Sequence, residues 1–330
     1  MMKTTDLRKI FFMPVLVVTG FLVLVSVCNA QDRQDTISSA AKLDTLKKYG
    51  IDPGRDISSR VMDTSPEIIL MFQKAGMSPR RHELSGADRV KIAKAFAALP
   101  ALHQRVLKER LHSISFLDNM PNTALTSTFN PGSPYRLYDI TFRAAILNQT
   151  VSQWTTEKEN TLFKADQQAS VTIDAGALDA ILYVIFHETT HVVDAALGLT
   201  EDNQTAGTKS FAPFTNRVWT SRMVTVPEYT DSLLQAITWK KEGNLINVTN
   251  AVSLYKSLQK TPFVSIYSSC SRMEDLAEYL SVYHLTQKLR QPFRIMVHQN
   301  GKEDFVYEPM KSKLVRSRIG QMQQFYLSKT

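Results

Sequence analysis

His187-Glu188-Thr189-Thr190-His191 combines residue types and a spacing suited to metal-assisted hydrolysis. Residues four apart on a helix stand one turn above each other on the same face. His187 and His191 can therefore bring two imidazole nitrogens to one cation, at the roughly 2.0–2.1 Å that zinc requires. Glu188 falls on the adjacent face. From there a carboxylate can take a proton from a water acidified by the cation, and the resulting hydroxide attacks a polarised carbonyl. The same five-residue pattern also arises by chance on ordinary helices. Here Ile181, Leu182, Val184, Ile185 and Phe186 precede it, so the element is buried. A buried carboxylate without a partner is costly, and zinc, the expected cofactor, accounts for Glu188.

A catalytic zinc keeps three protein ligands and one open position. Asp194 follows His191 by three residues, close to a helix C-terminus where negative charge is unfavourable. One helix rarely supplies three convergent ligands, so Asp194 is assigned a supporting role. Leu197 stands where a metzincin carries its third histidine. Glu274-Asp275-Leu276-Ala277-Glu278 offers a better source: its two glutamates are one helical turn apart, with small Ala277 and Ser281 beside them. One carboxylate can bind zinc while the other accepts a hydrogen bond from a ligand histidine. Glu274 is the expected ligand and Glu278 its outer partner. Two alternatives stay open. Ser271-Arg272-Met273-Glu274 is also a capping-box pattern, in which Glu274 would bond only the backbone of Ser271, and Glu278 could be the ligand instead.

His187 to Asp194, followed after a long gap by Tyr267, six residues, and then Glu274-Asp275-Leu276-Ala277-Glu278, resembles the lethal-factor-like zinc peptidases. That group includes the catalytic domain of anthrax lethal factor and the bacterial proline-proline endopeptidases. The resemblance covers at most residues 86–330. It implies an α+β, zincin-like fold: a small mixed sheet, an active-site helix and a C-terminal glutamate helix. It also implies zinc on His187, His191 and Glu274, Glu188 as general base, and Tyr267 as an aid to the transition state. A phenol suits that task, since it can donate to a developing oxyanion in a dry site; the other reading of Tyr267 is a core residue beside Phe263 and Ile266.

Several elements must position these groups. Ser85-Gly86-Ala87-Asp88 is a capping-box pattern with Asp in place of Glu, opening a helix, and a second helical stretch spans 101–114. Residues 138–146 alternate as a half-buried strand, and 169–173 form a shorter one. Asp174 suits the N-cap of the motif helix, which runs to Leu197 with Gly198 at C′. Further helices are expected over 227–239, 272–289 and 311–327, and residues 293–299 and 302–307 flank Asn300-Gly301 as a hairpin. The stretch 199–265 reads as an insertion rich in Thr, Asn and Pro.

Composition narrows the classes. Of 330 residues, only Cys28 and Cys270 are cysteines, which excludes a disulfide scaffold and cysteine-built metal clusters. Cys270 reads as a buried free thiol. The formal charge of +8 is scattered among acidic residues, as on solvated faces, and nucleic acid is not an expected partner. Lys3, Arg8 and Lys9 precede an apolar run from Ile10 to Val27, closed by Cys28-Asn29-Ala30, the three parts of an export signal. Residues 1–30 are thus an expected signal peptide, 31–85 a helical extension and 86–330 the metallopeptidase domain. The expectation is a periplasmic or secreted enzyme acting on peptide or protein substrates. Retention of 1–30 as a membrane anchor, or lipidation at Cys28, is the alternative for the N-terminus. A catalytically inactive zincin-like binding module is the alternative for function. The unpaired histidines His82, His103, His112, His284 and His298 are expected to be structural.

Overall fold

The computed structural model describes residues 39–200, 212–240 and 243–327. The expected signal segment with Cys28 lies outside them, as do 201–211 and 241–242 of the expected insertion. Helices α1 (Ser39–Lys48), α2 (Pro66–Lys74), α3 (Gly86–Ala97) and α4 (Ala101–Arg110) lead into strands β2 (Leu111–Asp118), β3 (Ala124–Thr128) and β4 (Tyr138–Arg143), with a short β1 (Arg80–Arg81) before α3. Helix α5 (Val151–Asn160), strands β5 (Phe163–Lys164) and β6 (Ala169–Asp174) and helix α6 (Ala180–Leu197) follow. The last part carries β7 (Ile246–Asn247), α7 (Ala251–Gln259), α8 (Arg272–Tyr283), β8 (Arg294–Gln299) and β9 (Lys302–Tyr307). The fold is mixed α+β with small sheets.

One sheet has the order β1-β2-β4-β3, with β2 and β4 parallel and both outer pairs antiparallel. A second, antiparallel sheet has the order β6-β8-β9, and its hairpin turns at Asn300 and Gly301, both at positive φ. Helix α6 is the hub. Its apolar residues from Ala180 to Phe186 are buried apart from half-buried Leu182, and α3, α4, α5 and α8 all pack on it, as does β3. It ends where Gly198 adopts a left-handed conformation, φ 62°, open to a residue without a Cβ. No helix among the described residues is long and apolar enough to cross a membrane.

Local signals set many boundaries. Ser85 and Asp88 form the reciprocal capping box, and Thr150 with Gln153 forms another at α5. Several expected boundaries differ. The second helix stops at Arg110, and residues to Asp118 form β2 instead, because pairing with β4 overrides their helical spacing. Asp174 ends β6 opposite Arg294; Gly176 then turns the chain at φ 79°, and α6 starts only after Asp179. The strand beginning at Tyr138 closes at Arg143 and continues as a 3-10 turn. Only short turns, Pro227–Tyr229 and Ser232–Gln235, occupy the expected 227–239 helix, since the Asp231 carboxylate accepts from Leu233 and Leu234 N–H and starts a new turn there. Helix α8 gives way to a π-turn, His284–Lys288.

The expected terminal helix 311–327 is likewise broken into short turns, Pro309–Lys311, Lys313–Arg316 and Ile319–Phe325. Arg318 between them turns inward. Its guanidinium donates to Asp275 Oδ1 at 3.0 Å and to the carbonyls of Pro262 and Phe214, while Trp219 Nε1 donates to Asp275 Oδ2 at 2.8 Å. Both charges of this ion pair are buried. Arg318→Met leaves the buried Asp275 carboxylate without its counter-charge and with Trp219 Nε1 as its remaining side-chain donor, so a loss of roughly 3–5 kcal/mol in unfolding free energy is expected. A urea midpoint equal to that of the wild type would contradict this.

Residues 39–85, expected as an extension, send Ile57 into the main core and Arg60 to the end of α4, where its guanidinium donates to the Leu107 carbonyl at 2.7 Å and to the carbonyls of Lys108 and Leu111. The five unpaired histidines each meet a separate partner: Asp118 for His82, Thr190 for His103, Asp139 for His112, Tyr326 for His284 and Thr172 for His298.

Candidate metal centre

Helices α6 and α8 cross so that His187, His191 and Glu274 meet. His187 Nε2 lies 3.1 Å from Glu274 Oε2, His191 Nε2 lies 3.3 Å from the same oxygen, and the two Nε2 atoms are 3.2 Å apart. Three ligand atoms around a tetrahedral zinc, each at about 2.0–2.1 Å, stand roughly 3.3 Å from one another. The triangle therefore matches the donor set and spacing of a zinc site, and this group is able to hold a metal ion.

The alternatives for Glu274 separate here. Its backbone N–H donates to Ser271 Oγ at 3.2 Å, so Ser271 does cap α8. Its carboxylate faces the two histidines instead of returning to the Ser271 backbone. Glu278, one turn on, places Oε1 3.1 Å from His187 Nδ1, in ion-pair reach though off the hydrogen-bond line. Ser265 Oγ donates to Glu278 Oε2 at 2.7 Å, Tyr183 OH to the same oxygen at 3.4 Å, and Lys158 Nζ to Oε1 at 3.3 Å. Glu278 is thus fixed from α5, α6 and the turn before α8, and its position sets the ring of His187.

Electrostatics follow from this pairing. Burial alone would lower the His187 imidazole, but its hydrogen bond to Glu274 and the close negative charges of Glu274 and Glu278 carry it up to about 9. Burial would raise the Glu274 carboxyl, yet the two histidines hold it well below the usual carboxylate range. Glu278, also pushed up by burial, is drawn down to about 2 by Lys158 and His187. The carboxylates are ionised and oriented toward positive charge, which is the condition a divalent cation requires; protons on the imidazoles compete with it.

Glu188 points into the cleft beside this group, and Thr126 Oγ1 of β3 donates to its Oε2 at 2.7 Å. Tyr267 lines the same cleft, its ring 6.0 Å from the His187 ring and 3.7 Å from Lys158 Nζ. Burial, with the charge of Glu274, pushes the Tyr267 phenol well above its usual value, so it stays a proton donor. Asp194 also borders the cleft, but its carboxylate accepts from Thr200 N–H and Thr200 Oγ1, both at 2.7 Å, fastening the turn after α6. Cys270 is buried and free, its thiol pushed up to about 12 by burial.

The cleft has two lobes that share His187, Glu188 and Tyr267. One, about 290 Å³, runs along β3 toward Thr128, Tyr138 and Arg222. The other, about 160 Å³, is walled by Trp154, Trp239 and Lys158. Thr126, Lys158, Ser265, Trp239 and Arg222 carry no sequence signal as site residues; each arrives through tertiary packing. Comparison of the chain with models of protein families, with curated proteins and with solved structures finds no match.

Proposed function

We propose that this chain is an exported zinc-dependent metalloendopeptidase with a zincin-like fold, related to the lethal-factor-like peptidases, with His187, His191 and Glu274 as metal ligands. The observation that carries this reading is the ligand triangle of 3.1–3.3 Å edges with Glu188 beside it and outside it. A bound zinc supplies Lewis-acid polarisation of the scissile carbonyl and acidifies a neighbouring water. Glu188 takes the proton of that water at Oε1, since Oε2 is occupied by Thr126, and passes it to the leaving amine. Tyr267 donates its phenolic proton in a hydrogen bond to the developing oxyanion. Glu278, held by Lys158 and Ser265, keeps the His187 ring in place.

The edge of β3 supports a peptide substrate. Arg143 N–H donates to Thr123 C=O at 2.8 Å and Phe129 N–H to Leu137 C=O at 2.9 Å. With Thr126 opposite Ile140, the odd-numbered residues of β3 bond β4, and the N–H and C=O groups of Ala124, Thr126 and Thr128 face the open edge. No other strand among the described residues pairs there, and these residues line the cleft. An extended peptide can add to this edge. The test is hydrolysis of a mixed peptide library, read by mass spectrometry: cleavage that a chelator abolishes and zinc restores is expected, and cleavage indifferent to chelator would refute the reading.

Thr126 gives a finer expectation. Thr126→Val keeps the shape but removes the hydrogen bond that orients Glu188, so kcat should fall about tenfold or more, with zinc content and KM little changed. Thr126→Ser should restore most of the rate. A Thr126→Val enzyme at full rate would remove Thr126 from the mechanism.

A further inference from the structure

Three cations border the cleft, and two are committed. Lys158 pairs with Glu278 at 3.3 Å, and Arg143 with Glu157 at 3.4 Å. Arg222 is half-buried in the larger lobe, and its guanidinium has no ion pair or hydrogen bond among the described residues. Burial and the neighbouring Arg272 depress its basicity, and the charges of Glu274 and Asp194 offset this only in part, with neither carboxylate in ion-pair contact with it. Its main chain is nevertheless fixed. Residues 218–226 form a small hairpin closed by Val226 N–H to Val218 C=O at 3.0 Å and Thr220 N–H to Val224 C=O at 2.8 Å. Arg272 N–H, at the first turn of α8, donates to Arg222 C=O at 3.0 Å, and Trp219 Nε1 bonds Asp275, the neighbour of Glu274. A rigid mount thus holds an arginine with five uncommitted donors at fixed offset from the metal ligands.

We propose that Arg222 binds a carboxylate of the substrate peptide, next to the bond that is cut. The planar fork of a guanidinium matches a carboxylate in a bidentate pair, which gives both charge and direction. Two sources share this chemistry: an Asp or Glu side chain, and the C-terminal carboxylate of a short peptide. This inference rests on the peptidase reading and adds the class of substrate.

Binding tests it without turnover. The probes are dye-labelled octapeptides of alanine and serine carrying one Glu or one Gln, walked through each position, with amidated C-termini. A second set lacks acidic side chains and ends in a free acid or an amide. Anisotropy is read on zinc-supplemented full-length Glu188→Gln protein, which should not cut them. Glu at one position, or the free acid, should bind about ten- to a hundredfold tighter than its neutral counterpart. The first result identifies a side-chain carboxylate and the second a terminal one. Adding Arg222→Gln should erase the difference while thermal melting stays unchanged. Arg222→Lys should recover part of it, keeping charge but not the fork. Equal binding of acidic and neutral probes throughout, discrimination that survives Arg222→Gln, or no binding at all would overturn the proposal. None of these touches the chelator-sensitive hydrolysis by which the peptidase reading stands or falls.

Discussion

Glu188→Gln protein is expected to keep its fold and its zinc while its peptide hydrolysis falls by about 10²–10⁴, the usual cost of removing a general base. The substitution changes one oxygen to an amide and leaves the volume intact. Thr126 can still donate to the remaining oxygen, so the side chain stays in place. What is lost is a carboxylate beside the metal-holding group that can take a proton and return it. Glu188 stands outside the group formed by His187, His191 and Glu274, so metal content should not follow activity. Parallel metal analysis and cleavage rates on one peptide decide the matter. Loss of zinc together with activity would move Glu188 into the metal-holding group, and an unchanged rate would trace the cleavage elsewhere.

Glu274→Gln is expected to weaken zinc binding more than Glu278→Gln does. The first removes a carboxylate that lies within 3.3 Å of both imidazoles; the second removes an outer partner of His187, a change typically worth about 10–100-fold in affinity. Capping does not confuse the comparison, because the cap of α8 is the Ser271 hydroxyl bonded to the Glu274 N–H, which the substitution preserves. Competition against a chromophoric chelator measures both variants. Wild-type affinity in Glu274→Gln would remove Glu274 from the metal ligands.

Part of this site is legible in the sequence because it is local. The i, i+4 histidines and the one-turn spacing of Glu274 and Glu278 survive as pairs on α6 and α8. Glu274 was ambiguous for a physical reason: one residue serves two purposes, with its N–H on the cap and its carboxylate on the histidines. The sheet was harder to read. Leu111 and Ile114 sit at helical spacing, and Ser113 and Ser115 of β2 are buried against Asp139 and Thr141, so the strand lacks the alternation of a half-exposed one. Strand β3 is short and mostly half-buried, with Leu125 its one large apolar residue. The hydroxyl that orients Glu188 was therefore hidden with it. Lys158, Ser265 and Arg222 lie 13 to 120 residues from their partners in sequence and follow only from how the chain packs.

The most direct test is the metal content of the purified full-length protein against His187→Ala, both prepared without added metal and then reconstituted with zinc and dialysed. About one zinc per chain in the wild type, and none retained by His187→Ala, is the predicted result for a site of this ligand set. A wild-type protein that takes up no zinc, or a His187→Ala protein that keeps it, would contradict the metal centre and the chemistry built on it.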